Sequence, residues 1–173
     1  LDHLKDPQEA VRIVQETRSI EGAKLVAKFF QRIGDYSSAV RFLVISGCLS
    51  DAFRLSREQD QLELYAEILA QECGEGEARA EFHSLALHFE TAGKHLLAGK
   101  YYFHAEDYRK AMKHLLQASR HSPEDGEALT LAVQVAGRAG DDVLANQLVE
   151  LLLGEVDGEA RDPKYIFKLY MAR

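Results

Sequence analysis

Asp35-Tyr36-Ser37-Ser38-Ala39 is written again, seventy-two residues later, as Asp107-Tyr108-Arg109-Lys110-Ala111. Each copy has a leucine four residues after its alanine, Leu43 and Leu115, within an apolar stretch of helical character. An aspartate in this position accepts hydrogen bonds from the first free N–H groups of a helix. The alanine four residues on is small enough for a second helix to approach closely. A repeated helix start with a repeated small residue predicts a repeated packing unit, which narrows the fold to a stack of helices.

The rest of the chain agrees with that restriction. Asp6-Pro7 reads as a cap with a first-turn proline before "QEAVRIVQET", and Ser19 precedes "IEGAKLVAKFFQRI". Asp35 caps the next helix, which ends near Gly47, and "CLSDAFRLSREQ" and "DQLELYAEILAQEC" follow. Beyond the loop "CGEGE", helices are predicted near 78–92, 94–105, 107–118, 126–139, 141–153 and 163–172. No segment alternates with period 2 in Val, Ile and Thr, so strands have no support. The fold class expected is all-α: about eleven short antiparallel helices with short connections.

Composition sets the outer limits. Apolar residues make up 46% of the 173 and charged residues 28%, ordinary for a folded chain. A net charge of −7 disfavours generic attraction to nucleic acid or to anionic membranes. Apolar stretches such as "LVELLLG" at 148–154 fall far short of the ~20 residues of a spanning helix, so no direct membrane insertion is expected. Cys48 and Cys73 stand twenty-five positions apart, neither a disulfide framework nor a Cys-x-x-Cys motif, which favours a reducing compartment. The chain opens at Leu1 without a signal-like segment and reads as a piece of a longer protein.

The spacing of small and large residues resembles the tetratricopeptide repeat, a helix pair recurring about every 34 residues. Ala27, Phe30, Gly34, Ala39 and Leu43 fall on its small, aromatic, turn, small and large positions. A fuller copy has Gly99, Tyr102, Ala111, Leu115, Ala118 and Pro123. A third has Val133, Ala136, Gly140, Ala145 and Val149, its turn 34 residues after the one at Glu106. Phe82, Ala86, Phe89, Gly93, Ala98 and Tyr102 fit a further frame, so the helix at 94–105 serves as second in one pair and first in the next. That is natural in a continuous solenoid. The expectation is one right-handed α-solenoid over 1–173, irregular over 1–72 and more regular over 78–173.

With the helices placed, "DPQEAVRIVQETRSIEGAKLVAKFFQRIGDYSSAVRFLVISGCLSDAF" and "NQLVELLLGEVDGEARDPKYIFKLYMA" resemble a region of the WD-repeat protein nineteen family, core subunits of intraflagellar transport complex A. In that family WD40 propellers precede a long tetratricopeptide-like solenoid, and a zinc-binding segment lies at the far carboxyl end. Neither occurs in this sequence, so the resemblance implies a fragment of the solenoid. It implies a scaffold role, with other complex A subunits as partners, in the particle that supports retrograde ciliary transport and ciliary entry of membrane proteins. It also implies a location in the cilium or flagellum, at the ciliary base and in the cytoplasm.

Lys24, Lys28 and Arg32 recur at i, i+4 and i+8, on the side of their helix that the repeat register turns toward a concave groove. One reading is an electropositive strip for an acidic partner segment. The other is a solvated face near a helix end, where cations are mildly favoured. A groove for carboxyl-terminal peptides needs several Asn side chains, and only Asn146 is present. Six of the seven histidines lie between His83 and His121, but His83 and His88 are five apart and miss the i, i+4 spacing of a helical metal pair. "YYFHAEDY" at 101–108 reads as core for Tyr102, while Tyr101, Phe103 and Tyr108 cannot all share its face. No phosphate loop, nucleophile elbow or His-Glu-x-x-His is present, so neither an enzyme nor a cofactor is expected. The rivals to a ciliary scaffold are a peptide-recognition module using Lys24, Lys28 and Arg32, and a vesicle-coat-like solenoid. In "DPKYIFKLYMAR", Tyr165, Ile166, Phe167, Leu169, Tyr170 and Met171 are too many apolar groups for one face. Some are expected to pack on the helix at 141–153, and the rest to support weak self-association through the carboxyl-terminal helix.

Overall fold

The computed structural model describes residue 12 and residues 20–74, 76–121 and 126–172. The expected helix start at Asp6-Pro7, the cap at Ser19, and Pro123 lie outside them. Among the described residues there are ten helices and no strand. They are α1 (Ile20–Arg32), α2 (Tyr36–Ile45), α3 (Leu49–Glu58), α4 (Leu62–Glu72), α5 (Arg79–Thr91), α6 (His95–His104), α7 (Tyr108–His121), α8 (Gly126–Ala139), α9 (Asp142–Leu152) and α10 (Lys164–Ala172). The chain is all-α.

Most of the described turns between these helices share one construction. A helix ends in a residue of left-handed backbone, and the two N–H groups at the turn reach back to carbonyls of the last turn. At Gly34 (φ +80°), the Gly34 N–H donates to the Gln31 carbonyl at 3.1 Å and the Asp35 N–H to the Phe30 carbonyl at 2.9 Å. This is the Schellman arrangement, which satisfies carbonyls that the helix leaves open. Gly47, Asp60, Gly93, Glu106 and Gly154 repeat it. At Gly140 a single N–H bond to the Ala136 carbonyl, 3.3 Å, closes the simpler variant. Caps complete the other side of several turns. The Asp35 carboxylate accepts from the Ser38 N–H (3.0 Å) and hydroxyl (2.6 Å), Asp107 from the Lys110 N–H (3.3 Å), and Asp141 from the Val143 N–H (2.9 Å).

The chain divides into two compact units between Ala78 and Arg79. In the first, α1 packs on α2, and α2, α3 and α4 pack on one another. Its core mixes small and large residues, with Ala39 and Ala52 buried along with Leu43, Tyr65 and Leu69. In the second unit α6 packs on both α5 and α7, α7 on α8 and α9, and α8 on α9 and α10. All the substantial helix contacts among the described residues join neighbours in sequence or helices one place further on. Such near-neighbour packing is the contact pattern of a helical solenoid.

The carboxyl-terminal helix departs from expectation in its partner. α10 lies chiefly on α8, and only secondarily on α9. Two glycines of α8 explain this. A Cβ at Gly126 would collide with the Tyr165 hydroxyl, and one at Gly137 would come within 3.0 Å of Ala172. Start meets start and end meets end, so α8 and α10 run parallel at close range. The connection from α9 is fixed by Arg161, whose guanidinium holds Asp157 in two hydrogen bonds (2.9 and 2.7 Å) while its N–H donates to the Leu152 carbonyl at 2.8 Å.

Candidate functional site

The basic stripe read from the sequence sits on α1, with Lys24, Lys28 and Arg32 all exposed. Lys24 and Lys28 line a small groove of about 290 Å³ against α3, floored by Ala27, Leu43 and Leu55. α3 brings its own charges there. Asp51 pairs with Lys24 at 3.6 Å and with Arg54 at 2.7 Å, and Glu58 stands on the same wall. The groove therefore mixes both signs. The sequence stripe could not show this, because the acids come from a different helix.

The repeat positions fall as follows. Ala27, Ala39, Ala86, Ala111 and Ala145 are buried, as are Phe82, Phe89 and Tyr102. Phe30 and Ala118 are half-buried. Gly34, Gly93 and Gly140 carry the left-handed turns. Gly99 lies inside α6, where a Cβ would sit 2.7 Å from the Leu115 side chain and 3.2 Å from the Ala111 carbonyl. Its missing side chain lets α6 and α7 close on each other. Of the aromatic run at 101–108, Tyr101 and Tyr102 are both buried, and Phe103 and Tyr108 are half-buried. Tyr101 lies between Phe82 (6.4 Å) and Phe89 (5.5 Å), which use α5 to cover the second ring.

Several histidines that looked scattered in the sequence meet in one network across α5, α6 and α7. His114 is buried, its ring stacked on Tyr102 at 5.5 Å. Its Nδ1 lies 3.1 Å from Nδ1 of His95, and its Nε2 lies 3.4 Å from a Glu90 oxygen. The Tyr102 hydroxyl donates to the other Glu90 oxygen. A neutral His114 protonated at Nε2 can face Glu90 and still accept from His95, so one tautomer suits both neighbours. Burial lowers the His114 pKa, against a smaller opposing pull from Glu90. The Tyr102 bond holds the Glu90 carboxyl below its usual range, and burial pushes the Tyr102 phenol up. No group of three His, Cys, Asp or Glu among the described residues is placed to hold a metal. The arrangement is a half-buried polar clasp.

Comparison with known proteins identifies the sequence these helices carry. No family model matches. The chain is 45% identical over 172 residues to WD repeat-containing protein 19 of Homo sapiens and of Mus musculus. It is 41% identical over 171 residues to WD repeat-containing protein dyf-2 of Caenorhabditis elegans. The chain is homologous to a segment of WD repeat-containing protein 19. In each case 99% of this chain is aligned, and it spans about 12% of the relative's length. WD repeats form four-stranded propeller blades. With ten helices and no strand among its described residues, this chain corresponds to a part of WD repeat-containing protein 19 outside its propeller blades.

Proposed function

We propose that this chain is a protein–protein interaction scaffold, a section of the helical arm of an intraflagellar transport complex A subunit. In this reading it supports retrograde ciliary transport and ciliary entry of membrane proteins from within the assembled particle, without chemistry of its own. The observation that carries it is the 45% identity to WD repeat-containing protein 19 over 99% of the chain. The helical stack supports the same reading. Its buried residues are largely apolar and are spent on packing helix against helix.

The rival peptide module would rely on the α1 stripe, where Asp51 and Glu58 offset the charge an acidic peptide would need. The vesicle-coat reading has only the shared helical architecture, whereas the ciliary one has the sequence. Cross-linking of the assembled particle with an amine-reactive reagent tests the proposal. At least one of Lys24, Lys28, Lys100, Lys113 or Lys168 is expected to link to another subunit of the complex. A particle that assembles fully while this segment links to no other subunit would refute it.

A further inference from the structure

Within the second unit, α7 and α9 leave an open groove of about 750 Å³. Arg109, Lys113 and Arg120 line one wall at i, i+4 and i+11 of α7, with Leu116 between them on the same stripe. The facing wall is mostly apolar: Val143 is 63% exposed and Val156 47% exposed, above the buried Leu144 and Leu151, with Gln147 among them. None of the three cations forms an ion pair or side-chain hydrogen bond with any described residue. The one acid on the lining, Asp141, already accepts from the Val143 N–H at 2.9 Å. In a chain of net charge −7, three cations on one wall with no ion-pair partner among the described residues run against the overall charge.

We propose that this groove docks a short acidic segment of a partner protein, one that sets aliphatic side chains between carboxylates. The charges select carboxylates, since Arg and Lys donate charge-assisted hydrogen bonds to them. The apolar wall selects the aliphatic groups, which a polyphosphate backbone lacks. A bilayer surface is flat and meets only the rim of a concave site, leaving the Val143 and Val156 wall unused. The inference stands on the groove alone and does not depend on the ciliary reading.

The test uses the 173-residue chain and a fluorescein-labelled peptide carrying two leucines flanked on each side by glutamates, followed by anisotropy. Binding is expected to be weak, on the order of 100 μM, as befits a short flexible ligand that must be ordered on docking. Replacing the peptide's glutamates with glutamine, or its leucines with serine, is expected to weaken it at least about tenfold, roughly 1.4 kcal/mol. Combining Arg109→Glu, Lys113→Glu and Arg120→Glu is expected to abolish binding, and Val143→Asp alone to weaken it, with helicity unchanged by circular dichroism. The milder Lys113→Gln with Arg120→Gln gives the same direction should the triple reversal unfold. Lys24→Glu with Lys28→Glu is expected to leave binding intact. Equal binding of the glutamine peptide, or indifference to the α7 changes, overturns the proposal. So does sedimentation with phosphatidylserine vesicles, lost on charge reversal, in a chain that ignores the acidic peptide.

Discussion

Ala39 and Ala111 have no exposed surface at all, and Ala145 has 2%. Each sits four residues after a capping aspartate, on the face its helix turns to a neighbour. Interiors at native density have no room for three further carbon atoms. Leucine at any of the three is expected to cost roughly 1–3 kcal/mol by overpacking, read as a lowered denaturant midpoint. An unchanged midpoint would mean that the site can open at no cost. The opposite sign is expected at Asp60. This exposed residue holds φ +55° in the turn between α3 and α4, in the place glycine takes at Gly34, Gly47 and Gly93. An L residue in that region costs about 1–2 kcal/mol, and glycine's extra unfolded-state entropy returns about 0.5–1 of it. Asp60→Gly is therefore expected to raise the midpoint by the equivalent of about 0.5–1 kcal/mol, and a lowered midpoint would show that the aspartate is doing something the turn needs. Glycine made most of these turns legible in the sequence. At Asp60 and Glu106 the same backbone is imposed by the helices on either side, and no local residue announces it.

Elements were legible because each needs only local signals: an apolar stripe, a capping acid, a terminating turn. Partners were less so. α10 was expected on the helix at 141–153 and lies chiefly on α8, because Gly126 and Gly137 open a parallel approach that periodicity within α10 cannot reveal. The clasp of α5, α6 and α7 was hidden for a related reason. Glu90, His95, Tyr102 and His114 are spread over twenty-five positions, and only the fold brings them together. The clasp gives the second unit a pH dependence. His114 is faced by Glu90 from α5 and by His95 and Tyr102 from α6, with Lys113 beside it on α7. Its folded pKa is depressed by burial, so the unfolded chain takes up the proton first. Stability is fully present above the ordinary histidine value of about 6.5 and is lost as pH falls through the lower folded value. Glu90 and Asp35, also depressed, lose their contributions only further down, below the ordinary carboxylate range. Thermal unfolding between pH 7.5 and 5.5, a window about one pH unit either side of that histidine value, is expected to show a falling midpoint, with a shallower slope in His114→Gln. Equal slopes in the two proteins would remove His114 from the account.

At the scale of the whole molecule, what a sequence tells least well is which surface remains open. The α1 stripe looked like a groove of one sign until α3 supplied Asp51 and Glu58, and the groove cations on α7 went unremarked because their facing wall comes from α9 and the loop after it. The carboxyl-terminal helix is clearer. Six apolar residues cannot fit one face of nine residues, and α10 indeed buries Tyr165 and Leu169 while Phe167, Tyr170 and Met171 stand 67%, 83% and 74% exposed. These three lie at i, i+3 and i+4, a single stripe on the outer side of the helix. Aromatic side chains present roughly 150–250 Å² each, so the stripe offers on the order of 500 Å². A stable interface takes about 800 Å² from each partner, so two copies meeting here gain too little for a tight dimer. The chain is therefore expected to self-associate weakly, with a sedimentation coefficient that rises with concentration. Phe167→Glu with Tyr170→Glu places charge in the middle of the stripe and should hold the coefficient constant, while Phe103→Leu, on a different helix, should leave the concentration dependence as it was. A wild-type chain that stays monomeric at the highest accessible concentration would show that this stripe is too small, or too well wetted, to bind its own copy.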